Sequence, residues 1–274
     1  MPFFTTTDGC RLFYEIRSDD PEKPFITFLN GFTQTTVYWY GQVRPFSKHF
    51  SIFLYDARGQ GQSDLGRNPP TFDQHVHDLS ELLAHLHIKR TDLVGLSHGA
   101  RVALGYATAW PAQIKKLVLC GLGARDSRKT KEIIDSWHAI LKEGDAVAIA
   151  EGILPAVFGP DFIRKHKGIM TDIAAAVVER NQKDALLAQL KALKAYPAPE
   201  SLSLRDGIDT LVLTGADDPL ITPAEAAELA AHLDAGFQVI KAAGHSLPVE
   251  APREFEHRVQ EYLRPPPTDV QNPK

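Results

Sequence analysis

The sequence has little that would staple it from outside a hydrophobic core. It holds 2 cysteines in 274 residues, Cys10 and Cys120, far apart and neither in a Cys-x-x-Cys pair. Disulfide-dependent folding is therefore not expected, and a reducing cytoplasm is the default compartment. No apolar run approaches the length of a membrane span. The first residues, Met1-Pro2-Phe3-Phe4-Thr5-Thr6-Thr7-Asp8-Gly9, lack the basic start and long apolar stretch of a signal peptide. Positive charge is not in excess: 30 Lys and Arg against 34 Asp and Glu leave a net charge of -4. Nucleic acid and membrane are thus not expected partners. Internal repeats are absent. The glycines of Asp56–Asp64 form neither a G-x-G-x-x-G nor a Walker pattern, so nucleotide binding has no support.

What is present is an ordinary globular composition, 43% hydrophobic and 23% charged. A chain of this length buries a sizeable core unaided. Short apolar runs alternate with helical stretches. Cys10–Arg17 reads as a strand after a turn at Asp8-Gly9, followed by Phe25–Leu29, Phe50–Tyr55, Asp92–Leu96, Lys116–Cys120, Thr210–Thr214 and Phe237–Ile240. Several are nearly continuous apolar runs, as in strands covered on both faces. Helices are predicted over Phe72–Leu86, Ser97–Ala109, Pro223–Leu233 and Pro252–Leu263. The alternation predicts an α/β fold with a mostly parallel sheet flanked by helices.

The rhythm breaks between Cys120 and Thr210. Residues 124–205 are helical in character, clearest at Lys131–Lys142, Ala146–Ala156 and Asp184–Ala195, and punctuated by glycine and proline. They read as a helical cap inserted between two sheet strands, leaving residues 1–123 and 206–263 as the core domain. Residues 264–274, with Pro265-Pro266-Pro267, read as a disordered tail.

Gly95-Leu96-Ser97-His98-Gly99 fits G-x-S-x-G at a junction between a strand and a helix. A serine on so tight a turn presents its hydroxyl, and an N–H at the helix start can stabilise negative charge beside it. Serine needs a base, and the base an orienting acid. Both follow in order along the chain, each past a predicted strand: Asp217-Asp218 after Thr210–Thr214, and His245 after Phe237–Ile240. The segment His75-Val76-His77-Asp78 contains metal-binding residue types. Adjacent helix positions face different ways and partners at metal spacing are missing, so no metal or cofactor is expected.

With Leu29-Asn30-Gly31-Phe32, Tyr55–Asp64, the Ser97 elbow, Gly215-x-x-Asp218 and Gly244-His245 in this order, the chain resembles the α/β-hydrolase superfamily from Phe3 to Leu263. It is similar there to small bacterial ester and enol-lactone hydrolases. The resemblance implies Ser97 as nucleophile, His245 as base and Asp218 as acid, with Asp217 next and Asp126 as a further alternative. It implies backbone N–H groups of Phe32 and His98 as the oxyanion hole. It departs from the common pattern where His-Gly is replaced by Asn30-Gly31. The implied reaction is hydrolysis of a small-molecule carboxylic ester or lactone through an acyl-enzyme. A C–C bond hydrolase, a thioesterase, a perhydrolase and a non-catalytic binding protein are the alternatives. Oligomeric state stays open. Phe32 and Trp39, beside the oxyanion loop, are expected at the substrate pocket, with Trp137, Ile140, Leu154, Val157, Phe158 and Phe162 from the cap. Arg125, Arg128 and Lys129 are expected to be solvated, with a basic cap entrance that would favour an acidic lactone as the alternative.

Overall fold

The computed structural model describes residues 2–67, 70–205 and 207–264. The proline-rich segment 265–274 lies outside them. The strands are β1 Phe3–Thr5, β2 Arg11–Arg17, β3 Phe25–Leu29, β4 Ser51–Tyr55, β5 Thr91–Leu96, β6 Ile114–Cys120, β7 Asp209–Gly215 and β8 Gly236–Ile240. They form an 8-stranded sheet in the order β1-β2-β4-β3-β5-β6-β7-β8. Pairing is antiparallel at β1·β2 and β2·β4 and parallel from β4 through to β8. The expected strands match these to within a residue or two, but β1 was not anticipated. It is a short strand whose only signal is its pairing of Phe4 with Leu12 across the Gly9 turn.

Helices lie between the strands: α1 Tyr40–Phe46, α2 Phe72–His85, α3 His98–Ala109, then α4 Arg128–Glu143, α5 Ala146–Gly152, α6 Leu154–Val157, α7 Pro160–His166, α8 Met170–Arg180 and α9 Lys183–Leu193 within the insertion. After β7 come α10 Pro223–His232, α11 Leu247–Glu250 and α12 Pro252–Leu263. The single helix expected over Ala146–Ala156 is broken into α5 and α6, because Pro155 sits in the first turn of a new helix. α7 and α8 fall inside the segment read as helical without having been delimited there, and α1 and α11 were not anticipated.

Strand alternation sorts the core into two layers. Phe53, Tyr55, Leu93 and Leu119 meet α2, α3 and α10 on one face, while Ile52, Leu54, Val94 and Val118 meet α1 and α12 on the other. Each fully buried leucine or phenylalanine here adds about 1.5–3 kcal/mol. The β4–α2 loop is braced by Arg58, which is 2% exposed. Its guanidinium donates to both Asp78 oxygens, at 2.9 and 2.6 Å, and to Asp8 at 2.7 Å. The insertion docks on this loop: Gln189 Nε2 donates to the Arg58 carbonyl, and the amide of Gly61 donates to Asn181 Oδ1 at 2.9 Å. In the parallel region the carboxyl ends of β5, β7 and β8 therefore open together, beneath the insertion. That is where functional groups collect in open α/β sheets.

Candidate active site

The turn from β5 to α3 is built by close approach. A Cβ on Gly95 would lie 2.5 Å from the Gly99 carbonyl oxygen, and one on Gly99 would lie 2.4 Å from the Leu29 carbonyl oxygen. Glycine is required at both places, because no side chain fits between the strand and the helix. Between them Ser97 has φ 52° and ψ -112°, a conformation that costs a non-glycine residue on the order of 1–3 kcal/mol. Its amide is tied to the Cys120 carbonyl at 2.9 Å. The strain turns the half-buried serine toward the cavity above the sheet.

His245 follows β8 and Asp218 follows β7. His245 Nδ1 lies 2.9 Å from Asp218 Oδ2, with both side chains almost wholly buried. The other Asp218 oxygen, Oδ1, accepts the amides of Leu220 and Ile221, each at 2.9 Å. The carboxylate is thus held at both ends. Asp217 is exposed, and Asp126 is paired with Arg101, one contact being 3.2 Å. Neither reaches His245. Burial pulls the His245 pKa down, but the charge and hydrogen bond of Asp218 outweigh it and the net shift is upward. Nε2 is buried and without a hydrogen-bond partner among the described residues, while Ser97 and His245 line one cavity. Gly121, which no motif in the sequence marks, lies under the imidazole at φ +58°. A Cβ there would come within 2.8 Å of His245 Cε1.

On the opposite wall, Asn30 Nδ2 donates to the Tyr55 carbonyl at 2.9 Å and Oδ1 accepts from Trp39 Nε1 at 2.8 Å. The asparagine that departs from the common His-Gly pattern therefore anchors the start of the Gly31-Phe32 loop. His98 is the first residue of α3, so its N–H has no partner inside the helix.

The cavity has a volume of about 240 Å³ and is mostly apolar. Phe32, Trp137 and Phe158 line it, as do Leu154 and Val157. Other expected residues do not. Trp39 is 0% exposed and packs on Phe28 in the opposite layer, where its indole N–H serves Asn30. Phe162 stacks on Phe158 and His166 outside the cavity, and Ile140 lies beneath Gly152. The three basic residues at the start of the insertion are solvated, as expected, and form no basic entrance. Arg125 pairs with Glu200, Arg128 with Glu132, and Lys129 with the Pro219 carbonyl, all facing solvent. The cation on the cavity is instead Arg180, at the exposed end of α8. Sequence offered no signal for it, since a helical reading of 124–205 does not say which residue of α8 meets the cavity.

Behind the elbow, the His98 ring meets His75 at 4.7 Å and Tyr196 of the insertion at 5.9 Å between centroids. His77 packs on Trp110 and Asp78 on Arg58, so the four-residue segment disperses to separate partners. Burial lowers the His98 pKa to about 4 and pushes His75 well below the usual histidine value. Above pH about 6.5 neither the folded nor the unfolded chain protonates these rings. Between there and about 4 the unfolded chain binds protons that the folded chain refuses, so stability falls as pH falls. Asp56 and Asp92, raised by burial to about 6, act in the opposite sense. The readout is therefore a difference: in thermal melts between pH 7 and 5, His75→Phe is expected to lose less Tm than the unaltered protein. Equal slopes would contradict the buried neutral pair.

Comparison with known proteins agrees with this architecture. The sequence profile of the Alpha/beta hydrolase family matches residues 28–258. The chain is 24% identical over 246 residues to 3-oxoadipate enol-lactonase 2 of Acinetobacter baylyi, covering 89% of this chain and 90% of that protein. Among solved structures it superposes with a TM-score of 0.88 on MGS-M2, an alpha/beta hydrolase enzyme from a Medee basin deep-sea metagenome library. Identity there is 28%, over 99% of this chain and 100% of that one. It superposes at 0.82 on a thermophilic esterase from Thermogutta terrifontis, at 26% identity, over 96% and 97% of the two chains. Among the described residues no helix is long and apolar enough to cross a membrane.

Proposed function

The chain belongs to the alpha/beta hydrolase family and is a hydrolase, and from that premise we propose that it cleaves a carboxylic ester or lactone through an acyl-enzyme on Ser97. The observation that carries the proposal is the buried Asp218–His245 pair opening on the same cavity as the strained Ser97. Ser97 Oγ attacks the substrate carbonyl while His245 Nε2 takes its proton. Asp218 keeps the proton of His245 on Nδ1, so that Nε2 is the free base, and it stabilises the imidazolium that forms. The amides of Phe32 and His98 hold the oxyanion, a contribution of about 3–4 kcal/mol per donor in a dry site. His245 returns the proton to the leaving oxygen, and then activates water to release the acid. Every proton and electron pair moves among these groups, water and substrate, so the cycle calls for no cofactor or metal.

In this reading residues 124–205 are a cap whose inner face selects the acyl or ring portion. Its lining is aliphatic and aromatic, with Arg180 at the exposed edge. This supports a small or medium, largely apolar substrate. The test is a panel under one set of conditions: p-nitrophenyl esters of increasing chain length, an enol-lactone, an acyl-CoA, an aryl carbamate and a vinylogous diketone. The expected result is turnover of oxygen esters or the lactone, with kcat/KM rising from acetate into the short apolar acyl chains. Preference for the thioester or the diketone would contradict the ester assignment, and turnover of none would contradict the hydrolytic one.

A further inference from the structure

One carboxylate outside the Ser97, His245 and Asp218 set touches both the loop that carries the base and the helical insertion. Glu250 is the last residue of α11. Its Oε2 accepts the amide of Gly159 at 2.8 Å and the amide of Gly244 at 2.9 Å. Its Oε1 accepts the amide of Ser246 at 2.9 Å. Gly244 and Ser246 flank His245 in the chain, and Gly159 is the N-cap residue before α7 in the insertion. The two backbones meet without room for a side chain. A Cβ on Gly244 would fall 2.2 Å from the Gly159 nitrogen, and one on Gly159 would fall 3.0 Å from Glu250 Oε2. The sequences Phe158-Gly159-Pro160 and Ala243-Gly244-His245 are therefore matched to each other through glycine, and the half-buried carboxylate fills the junction.

Hydrogen bonds from backbone N–H to an ionised carboxylate are about twice as strong as neutral ones. A single charged group that accepts from both segments makes their positions interdependent. We propose that Glu250 is a positioning residue that ties the seating of the insertion to the placement of the His245 imidazole. The proposal rests on the reading of His245 as base and adds to it a condition: the base is held in register only while the insertion is docked. The titratable groups that feel the carboxylate are His245, Asp218 and the buried Tyr38. Burial and the Asp218 charge raise the Glu250 pKa, opposed by its three backbone donors. Its negative charge in turn favours the imidazolium form of His245.

Glu250→Gln keeps the shape, removes the charge and turns one acceptor into a donor facing an N–H. The experiment reads four quantities on the full chain: fluorophosphonate labelling of Ser97, steady-state kinetics, the pH profile of kcat/KM, and amide exchange in the 157–163 and 243–247 segments. Labelling of the unaltered protein tests the assignment of the nucleophile and base separately, and amide exchange reads the tie whatever that outcome. The expected result is a fall in kcat of about 10- to 100-fold with a smaller change in KM, as for a reacting group displaced by a fraction of an ångström. The acid limb should move to lower pH, and exchange should quicken in both segments together. Where Glu250→Gln melts below assay temperature, Glu250→Asp replaces it. That variant keeps the charge on a shorter stem and is expected to hold the acid limb while losing protection at Gly159. Unchanged kcat and pH profile would overturn the positioning role, and faster exchange in 243–247 alone would overturn the tie to the insertion.

Discussion

Ser97→Ala is expected to lower kcat/KM for any ester the protein turns over by on the order of 10⁴-fold or more. The size follows from what the substitution leaves. The cavity, the Phe32 and His98 amides and the Asp218–His245 pair all remain, so binding survives and a residual acceleration over water of about 10³–10⁴ is expected from the oxyanion hole and binding alone. KM should therefore change far less than kcat. Alanine at φ 52° carries the same backbone strain as serine, so Tm should stay within a few degrees. A variant that kept more than a tenth of the activity at unchanged Tm would place the nucleophile elsewhere.

Asp218→Asn is expected to cost about 10⁴-fold in kcat, and the geometry says why the isostere is no rescue. The Leu220 and Ile221 amides demand an acceptor at the Oδ1 position. They fix the asparagine with its carbonyl there and its NH₂ toward His245 Nδ1. Nδ1 then becomes an acceptor, the imidazole proton moves to Nε2, and the base that should face Ser97 is lost. Asp217→Asn, at an exposed site, and Asp126→Asn, which loosens only the Arg101 pair, are expected to stay within a few-fold of the unaltered kcat. Kinetics at the pH optimum, with melts as a control, separate the three. A deep loss in Asp126→Asn or Asp217→Asn alone would reassign the acid. His245 has its pKa raised by Asp218. The acid limb of kcat/KM should accordingly lie above the ordinary histidine value and move down in Asp218→Asn.

The sheet was legible because its strands are covered on both faces. Phe25–Leu29 and Ser51–Tyr55 are short, near-continuous apolar runs that end at Asn30 and Asp56, and runs of that length closed by a turn residue read as covered strands. The order Ser97, Asp218, His245 was legible because each follows an expected strand. β1 was not, since three residues carry no period of their own and gain a partner only when Gly9 folds the chain back. The insertion was read as helical, but its contacts were not readable. Asn181 and Gln189 meet the core across more than a hundred residues and Arg180 lines the cavity, and nothing local in the sequence specifies such placements. Trp39 shows the converse limit. Its place near the Gly31-Phe32 loop in sequence suggested the pocket, yet its large apolar ring gains more by burial against Phe28 and Phe255 in the far layer.

The most direct measurement of the central assignment is covalent labelling. The folded protein, incubated with a fluorophosphonate, should gain the mass of one phosphonyl group, mapped by peptide analysis to Ser97. Ser97→Ala should gain none, and Asp218→Asn should label far more slowly. A folded protein that gains no adduct, or gains it at another residue, would contradict Ser97 as an activated nucleophile.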